Sequence, residues 1–187
     1  NRIFEGTNEI NRMIIGKYIL KKSILEEIPI RLSIDERLVD WLPDISIEEK
    51  YQKYIQVVEF CRSLMLNITN HLILEYGQDL KNEQWILEPF ADLAIAFSII
   101  DTTFKRFYRL DESSHKDNTE NVFKLSLANN YYEMINNTKL ILEYVPNSEL
   151  EENLNKFLNQ LNYKPNRIAY KQKIASDLYE NKKYYLD

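Results

Sequence analysis

The sequence predicts an all-α fold organised around an antiparallel helical bundle. Three observations carry that expectation. Only three glycines and five prolines are spread over 187 residues, which leaves few sites for the tight turns a β-rich chain needs. Leu, Ile, Lys, Glu and Asn fill long stretches whose apolar members recur at intervals of three and four, the period of a helix face. Two helix stops, Gly77 and Pro146, fall where such runs end.

Taken in order, Ile10, Met13, Ile14, Tyr18, Leu20, Ile24 and Leu25 predict a first helix from Asn8 to about Glu27, with Gly16 as a weak point inside it. Its apolar residues spread around much of its circumference, so burial against structure outside this chain is expected. From Pro29 to Pro43 the residues Ile30, Leu32, Ile34, Leu38, Val39, Trp41 and Leu42 read as a short helix or an extended linker. Residues 1–28, 29–44 and 45–187 are therefore taken as a preceding unit, a linker and a helical extension. Ser46 with Glu49 has capping-box spacing and opens a long helix. Its seam of Ile47, Tyr51, Tyr54, Ile55, Val58, Cys61, Leu64, Met65, Ile68, Leu72 and Tyr76 runs to Gly77. After a polar turn through Asp79 and Asn82, a second seam follows at Leu87, Phe90, Ala91, Ala94, Phe97, Ile100, Phe104 and Phe107. A third passes through Val122, Phe123, Leu127, Tyr131, Met134, Ile135, Ile141, Leu142 and Val145. Ser148 with Glu151 offers another capping box, before a short helix through Leu150, Leu154, Phe157, Leu158 and Leu161. A last helix starts near Asn166. Short connections between long amphipathic helices favour antiparallel neighbours.

Composition narrows the chemistry. The net charge is −5, and 24 basic residues are dispersed among 29 acidic ones, so no basic stripe is available to replace phosphate counterions. No apolar run approaches the roughly 20 residues that span a bilayer. Cys61 is the only cysteine; it excludes an internal disulfide and reads as a small core residue. His71, beside Ile68 and Leu72, reads as a hydrogen-bonded flank residue. The single Glu-x-x-His run, Glu112 to His115, sits in a polar connection without the second copy that a di-iron bundle requires. No metal site is expected. Asp101, at helical spacing between Phe97 and Phe104, reads as one partner of a structural ion pair, because an unpaired buried carboxylate is costly.

The chemistry-bearing segment is Phe4-Glu5-Gly6-Thr7-Asn8-Glu9-Ile10 with Arg12. It places a carboxylate in a Gly-Thr turn directly before an amphipathic helix. This run resembles the catalytic segment of the flavin-dependent acyl-CoA dehydrogenases. The resemblance implies that Glu5 removes the pro-R α-proton of a fatty acyl-CoA while the β-hydrogen leaves as hydride to flavin N5, giving the trans-2-enoyl-CoA of fatty acid β-oxidation. It implies that the backbone N–H of Glu5 helps bind the thioester carbonyl. A pKa raised by burial beside the acyl chain is expected for such a base. Gly6 admits close approach of substrate, and Thr7, Asn8 and Glu9 match positions that contact FAD.

A second stretch, Asn82-Glu83-Gln84-Trp85-Ile86-Leu87 with Ala91-Asp92 and Ala94-Ile95, resembles part of the extra C-terminal helical region of the very-long-chain branch. The first helix is then the end of a larger catalytic helical domain, and the chain is the C-terminal part of a longer enzyme, inactive alone. Further implications are a homodimer, an electron-transfer flavoprotein as acceptor, and a bacterial cytoplasmic or mitochondrial setting. An alternative reading makes residues 45–187 a non-catalytic module for dimerisation or for docking to a partner or membrane surface. The basic, tyrosine-rich stretch from Lys164 to Tyr185 is its candidate peripheral contact.

Overall fold

The computed structural model describes residues 7–30, 33, 45–111 and 116–181, and among these every regular element is helical. In chain order they are α1 (Asn8–Ile24), α2 (Glu49–Tyr76), a 3₁₀ turn (Gly77–Asn82), α3 (Gln84–Asp111), α4 (Lys116–Tyr144), α5 (Ser148–Leu161) and α6 (Arg167–Asn181). The predicted all-α class is what is found. Most of the linker, like residues 1–6, lies outside the described residues.

Helices α2, α3 and α4 run up, down and up. Tyr51 near the start of α2 meets Phe107 and Tyr108 near the end of α3, whereas Tyr54 and Phe60 of α2 meet Phe123 and Tyr131 of α4 in the same order. One end of the bundle is closed by aromatic rings. Phe107 stacks on Phe123 at 4.1 Å and 3°, and Tyr54 packs edge-on against Phe123 while its hydroxyl donates to Glu120 Oε1 at 3.3 Å. A tyrosine there buries its ring and keeps a polar partner for its oxygen.

The predicted seams are buried for the most part, with Ile47, Tyr54, Ile55, Tyr76, Phe97 and Val122 only half-buried, and they are too narrow. Phe60 and Val57 of α2 and Leu93 of α3 are fully enclosed as well, because each of these helices packs against more than one neighbour and so buries a face wider than a single stripe. Leu80 is also buried, inside what the sequence presents as a polar turn. Cys61 is wholly enclosed, and burial pushes its thiol pKa up, away from the thiolate that redox chemistry needs.

Two helix starts differ from expectation. Helix α2 begins at Glu49 after Glu48, without a side-chain cap from Ser46. For α5 the cap is Asn147, whose Oδ1 accepts from Leu150 N–H at 3.0 Å, so Ser148 is already helical. The extended backbone of Asn147 (φ −147°, ψ 102°) aims its amide at the third helical N–H, the geometry of an N-cap. Helix α2 does end at Gly77, whose φ of +51° strongly favours glycine.

Asn147 also reaches the bundle's buried histidine. Its Nδ2 donates to His71 Nδ1 at 3.3 Å, and His71 Nε2–H donates to the Val145 carbonyl at 3.0 Å. Because Oδ1 is committed to Leu150, the amide presents its NH₂ group to the imidazole, which selects the neutral Nε2–H tautomer. The link ties α2 to the α4–α5 corner and bears out the reading of His71 as a hydrogen-bonded residue. His71→Leu leaves a buried carbonyl and an amide without their partner. We expect it to lower unfolding free energy by about 1–3 kcal/mol, read from the urea midpoint.

Asp101 is the expected paired ion. Arg62 of α2 donates to it from Nη2 at 2.9 Å, and Lys105 donates from one turn along α3 at 2.6 Å. Arg62 also donates to buried Glu59 at 3.3 Å and lies over the Phe97 ring. Burial pushes the Asp101 carboxyl up, but the hydrogen bonds and charges of Lys105 and Arg62 outweigh it, so the pKa falls below the ordinary carboxylate value. A depressed folded-state pKa gives stability that is fully present above the unfolded value, about 3.9, and lost as pH falls through the folded value. Asp101→Asn is therefore expected to destabilise at pH 7, with the difference from the parent shrinking below about pH 4; urea unfolding at pH 7 and pH 3 measures it.

Candidate functional site

The candidate site begins at the amino end of α1. Thr7 has extended backbone (φ −70°, ψ 153°), and its Oγ1 accepts from Ile10 N–H at 3.4 Å while its carbonyl accepts from Asn11 N–H at 3.0 Å. It is the N-cap, a role its hydroxyl suits. Asn8 and Glu9 follow in the first turn, and all three residues are exposed. Glu9 places negative charge at the positive end of the helix dipole. Glu5 and Gly6 lie outside the described residues.

Between this start and the bundle lies the seam of α1 with α3, two helices that run antiparallel. Near the start of the seam, Arg12 Nε donates to Asp92 Oδ1 at 2.6 Å. That hydrogen bond is the main reason the Arg12 guanidinium holds its proton more tightly than usual. Burial opposes it, and the charges of Asp92, Glu88 and Glu9 add to it. One turn further along, Gly16 lies so close to α3 that a Cβ on it would sit 2.9 Å from the Leu87 carbonyl oxygen. The weak helix former is thus the residue that lets the two backbones meet. Leu20 is buried beyond it. The opposite face of α1 leaves Ile10, Ile14 and Tyr18 exposed, Tyr18 by 60%.

The two stretches singled out in the sequence therefore touch each other: Arg12 of the first meets Asp92 of the second, and Gly16, one turn beyond Arg12, meets Leu87. Their pairing was missed from sequence. A signal was present, since Glu88 and Asp92 place like charges at i and i+4 on one helix, an arrangement that needs a cation from elsewhere. Among the described residues no group of His, Cys, Asp and Glu side chains is placed to hold a metal ion.

No protein-family model matches the chain. It is 35% identical over 101 residues, half of its length, to a probable acyl-CoA dehydrogenase of Bacillus subtilis (strain 168). Its fold matches the crystal structure of an acyl-CoA dehydrogenase complexed with FAD from Bacillus anthracis with a TM-score of 0.79, over 96% of this chain and at 24% identity. The chain spans 16% of the length of the first relative and 31% of the second. Its similarity is to the acyl-CoA dehydrogenases.

Proposed function

We propose that this chain is the C-terminal part of a longer FAD-dependent acyl-CoA dehydrogenase that converts a fatty acyl-CoA to the trans-2-enoyl-CoA, and that Glu5 is its base. The observation that carries the reading is the Phe4–Ile10 run with Arg12, continuing into a helix capped by Thr7 and tied to Asp92. The similarity to the Bacillus subtilis protein supports it.

In this reading Glu5 takes the α-proton as the α C–H bond breaks, and its own N–H stabilises the charge that builds on the thioester oxygen. The exposed Thr7, Asn8 and Glu9 at a helix start fit a polar, hydroxyl-rich cofactor, and these residues would hold FAD. When bound, FAD supplies the acceptor for the β-hydrogen as hydride. The 187-residue chain alone is inactive in this reading, because it carries the base with little of the cofactor site.

The finer assignments belong to the same proposal: the very-long-chain branch, a homodimer, an electron-transfer flavoprotein as acceptor, and action in β-oxidation. Residues 1–28 are then the end of the catalytic helical domain and 45–187 its extension. The test is dehydrogenation of a fatty acyl-CoA by the full-length enzyme with and without Glu5. An unaltered rate when this carboxylate is replaced overturns the reading.

A further inference from the structure

We propose that His71 and Asn147 form an acid-sensitive latch on α5: a second proton on the His71 ring turns the Asn147 amide over and takes the cap from the start of that helix. The inference stands on the geometry of the α4–α5 corner and does not depend on the functional reading.

Asn147 serves two partners at once. Its Oδ1 accepts from Leu150 N–H at 3.0 Å and its Nδ2 donates to His71 Nδ1 at 3.3 Å, while His71 Nε2–H donates to the Val145 carbonyl at 3.0 Å. The set is satisfied only while Nδ1 carries a lone pair. A proton gained there meets the amide NH₂ group, donor against donor. His71 is 5% exposed, and a buried charge without a partner is costly, so the new N–H needs an acceptor close by. Asn147 Oδ1 is that acceptor. Rotating the amide by half a turn brings the oxygen to the imidazolium and leaves Leu150 N–H facing the NH₂ group.

The corner confines the response to that one torsion. Pro146 fixes the backbone φ between the two residues that contact the ring, and Val145 is buried. Leu154, Phe157 and Leu161 hold the body of α5 in the core, so only its first turn is released. The ionisable groups nearest in sequence to the contact are Glu75 on α2, Glu143 and Tyr144 at the end of α4, and Glu149 and Glu151 at the start of α5. All five are exposed, and among the described residues none of them bonds to either ring nitrogen. Histidine is the side chain that changes charge between about pH 5 and pH 8, so acid is the direction of release.

The experiment follows amide hydrogen exchange in the full-length protein by mass spectrometry at about pH 7.5 and about pH 5, across the range in which histidine titrates, after correction for the intrinsic pH dependence of exchange. Protection at Leu150 is expected to fall about 5-fold on acidification, the factor that loss of an N-cap carries, while α3 from Phe90 to Ile100 is unchanged. His71→Gln, with no proton to gain, should abolish the fall. Asn147→Asp should reverse it, because a carboxylate accepts from Leu150 N–H and from a protonated ring together. Equal protection of the parent at both pH values overturns the proposal, as does a fall that persists in either variant or extends through α3. If His71→Gln does not accumulate as folded protein, Asn147→Asp decides alone by the same criterion.

Discussion

Glu5→Gln in the full-length enzyme is expected to lower kcat by about a thousand-fold or more, within the range of about 10² to 10⁴ that general acid–base catalysis contributes. The amide has nearly the same volume as the carboxylate and keeps the backbone N–H, so substrate binding and polarisation of the thioester carbonyl should persist. What it lacks is the capacity to accept the α-proton. The expected signature is thus a fall in kcat with KM close to the parent value, the pattern of a group needed in the transition state and little in the ground state. Steady-state rates with a fatty acyl-CoA and an artificial electron acceptor give both constants, and flavin absorbance shows whether cofactor is retained. A raised KM with intact kcat would make Glu5 a binding residue instead.

Gly16→Val should be the most damaging single change at the α1–α3 seam, costing about 2–3 kcal/mol. Two effects oppose each other here. Replacing a mid-helix glycine with alanine favours the helix by about 1 kcal/mol, yet the new Cβ would stand 2.9 Å from the Leu87 carbonyl oxygen. Backbone on both sides must then separate, and forced repacking of this kind costs about 1–3 kcal/mol. Alanine should come out mildly destabilising. Valine adds two methyl groups at the same place and forgoes most of the gain in propensity, so the packing cost dominates. Urea unfolding of Gly16→Ala and Gly16→Val measures the difference. Stabilisation by both would show that α1 does not pack on α3 through this residue.

The helices and their inner faces were legible because burial of an apolar face repeats with the helical period, and residues such as Leu64, Ile68 and Leu72 display that period directly. Stops were legible for the same local reason. Gly77 adopts a left-handed φ without a Cβ to obstruct it, and Pro146 follows directly after α4 and Val145. The motif that carries the functional proposal was likewise a matter of adjacent residues. Caps were less secure, since Asn147 and Ser148 are both able to cap and only the backbone angles at the corner chose between them.

What the amino-acid order alone determined about this protein is its class, its helix periods and the run of residues 4–12 on which the functional proposal rests. Tertiary structure decided which distant residues meet: Arg12 with Asp92, Gly16 with Leu87, and His71 with both Val145 and Asn147. The physical reason is range. Helix periodicity and capping depend on neighbours within about four positions and so are written in short windows of sequence. An ion pair across 80 positions, or a glycine that matters because another backbone lies against it, depends on how helices dock, and docking is set by the shape of whole faces.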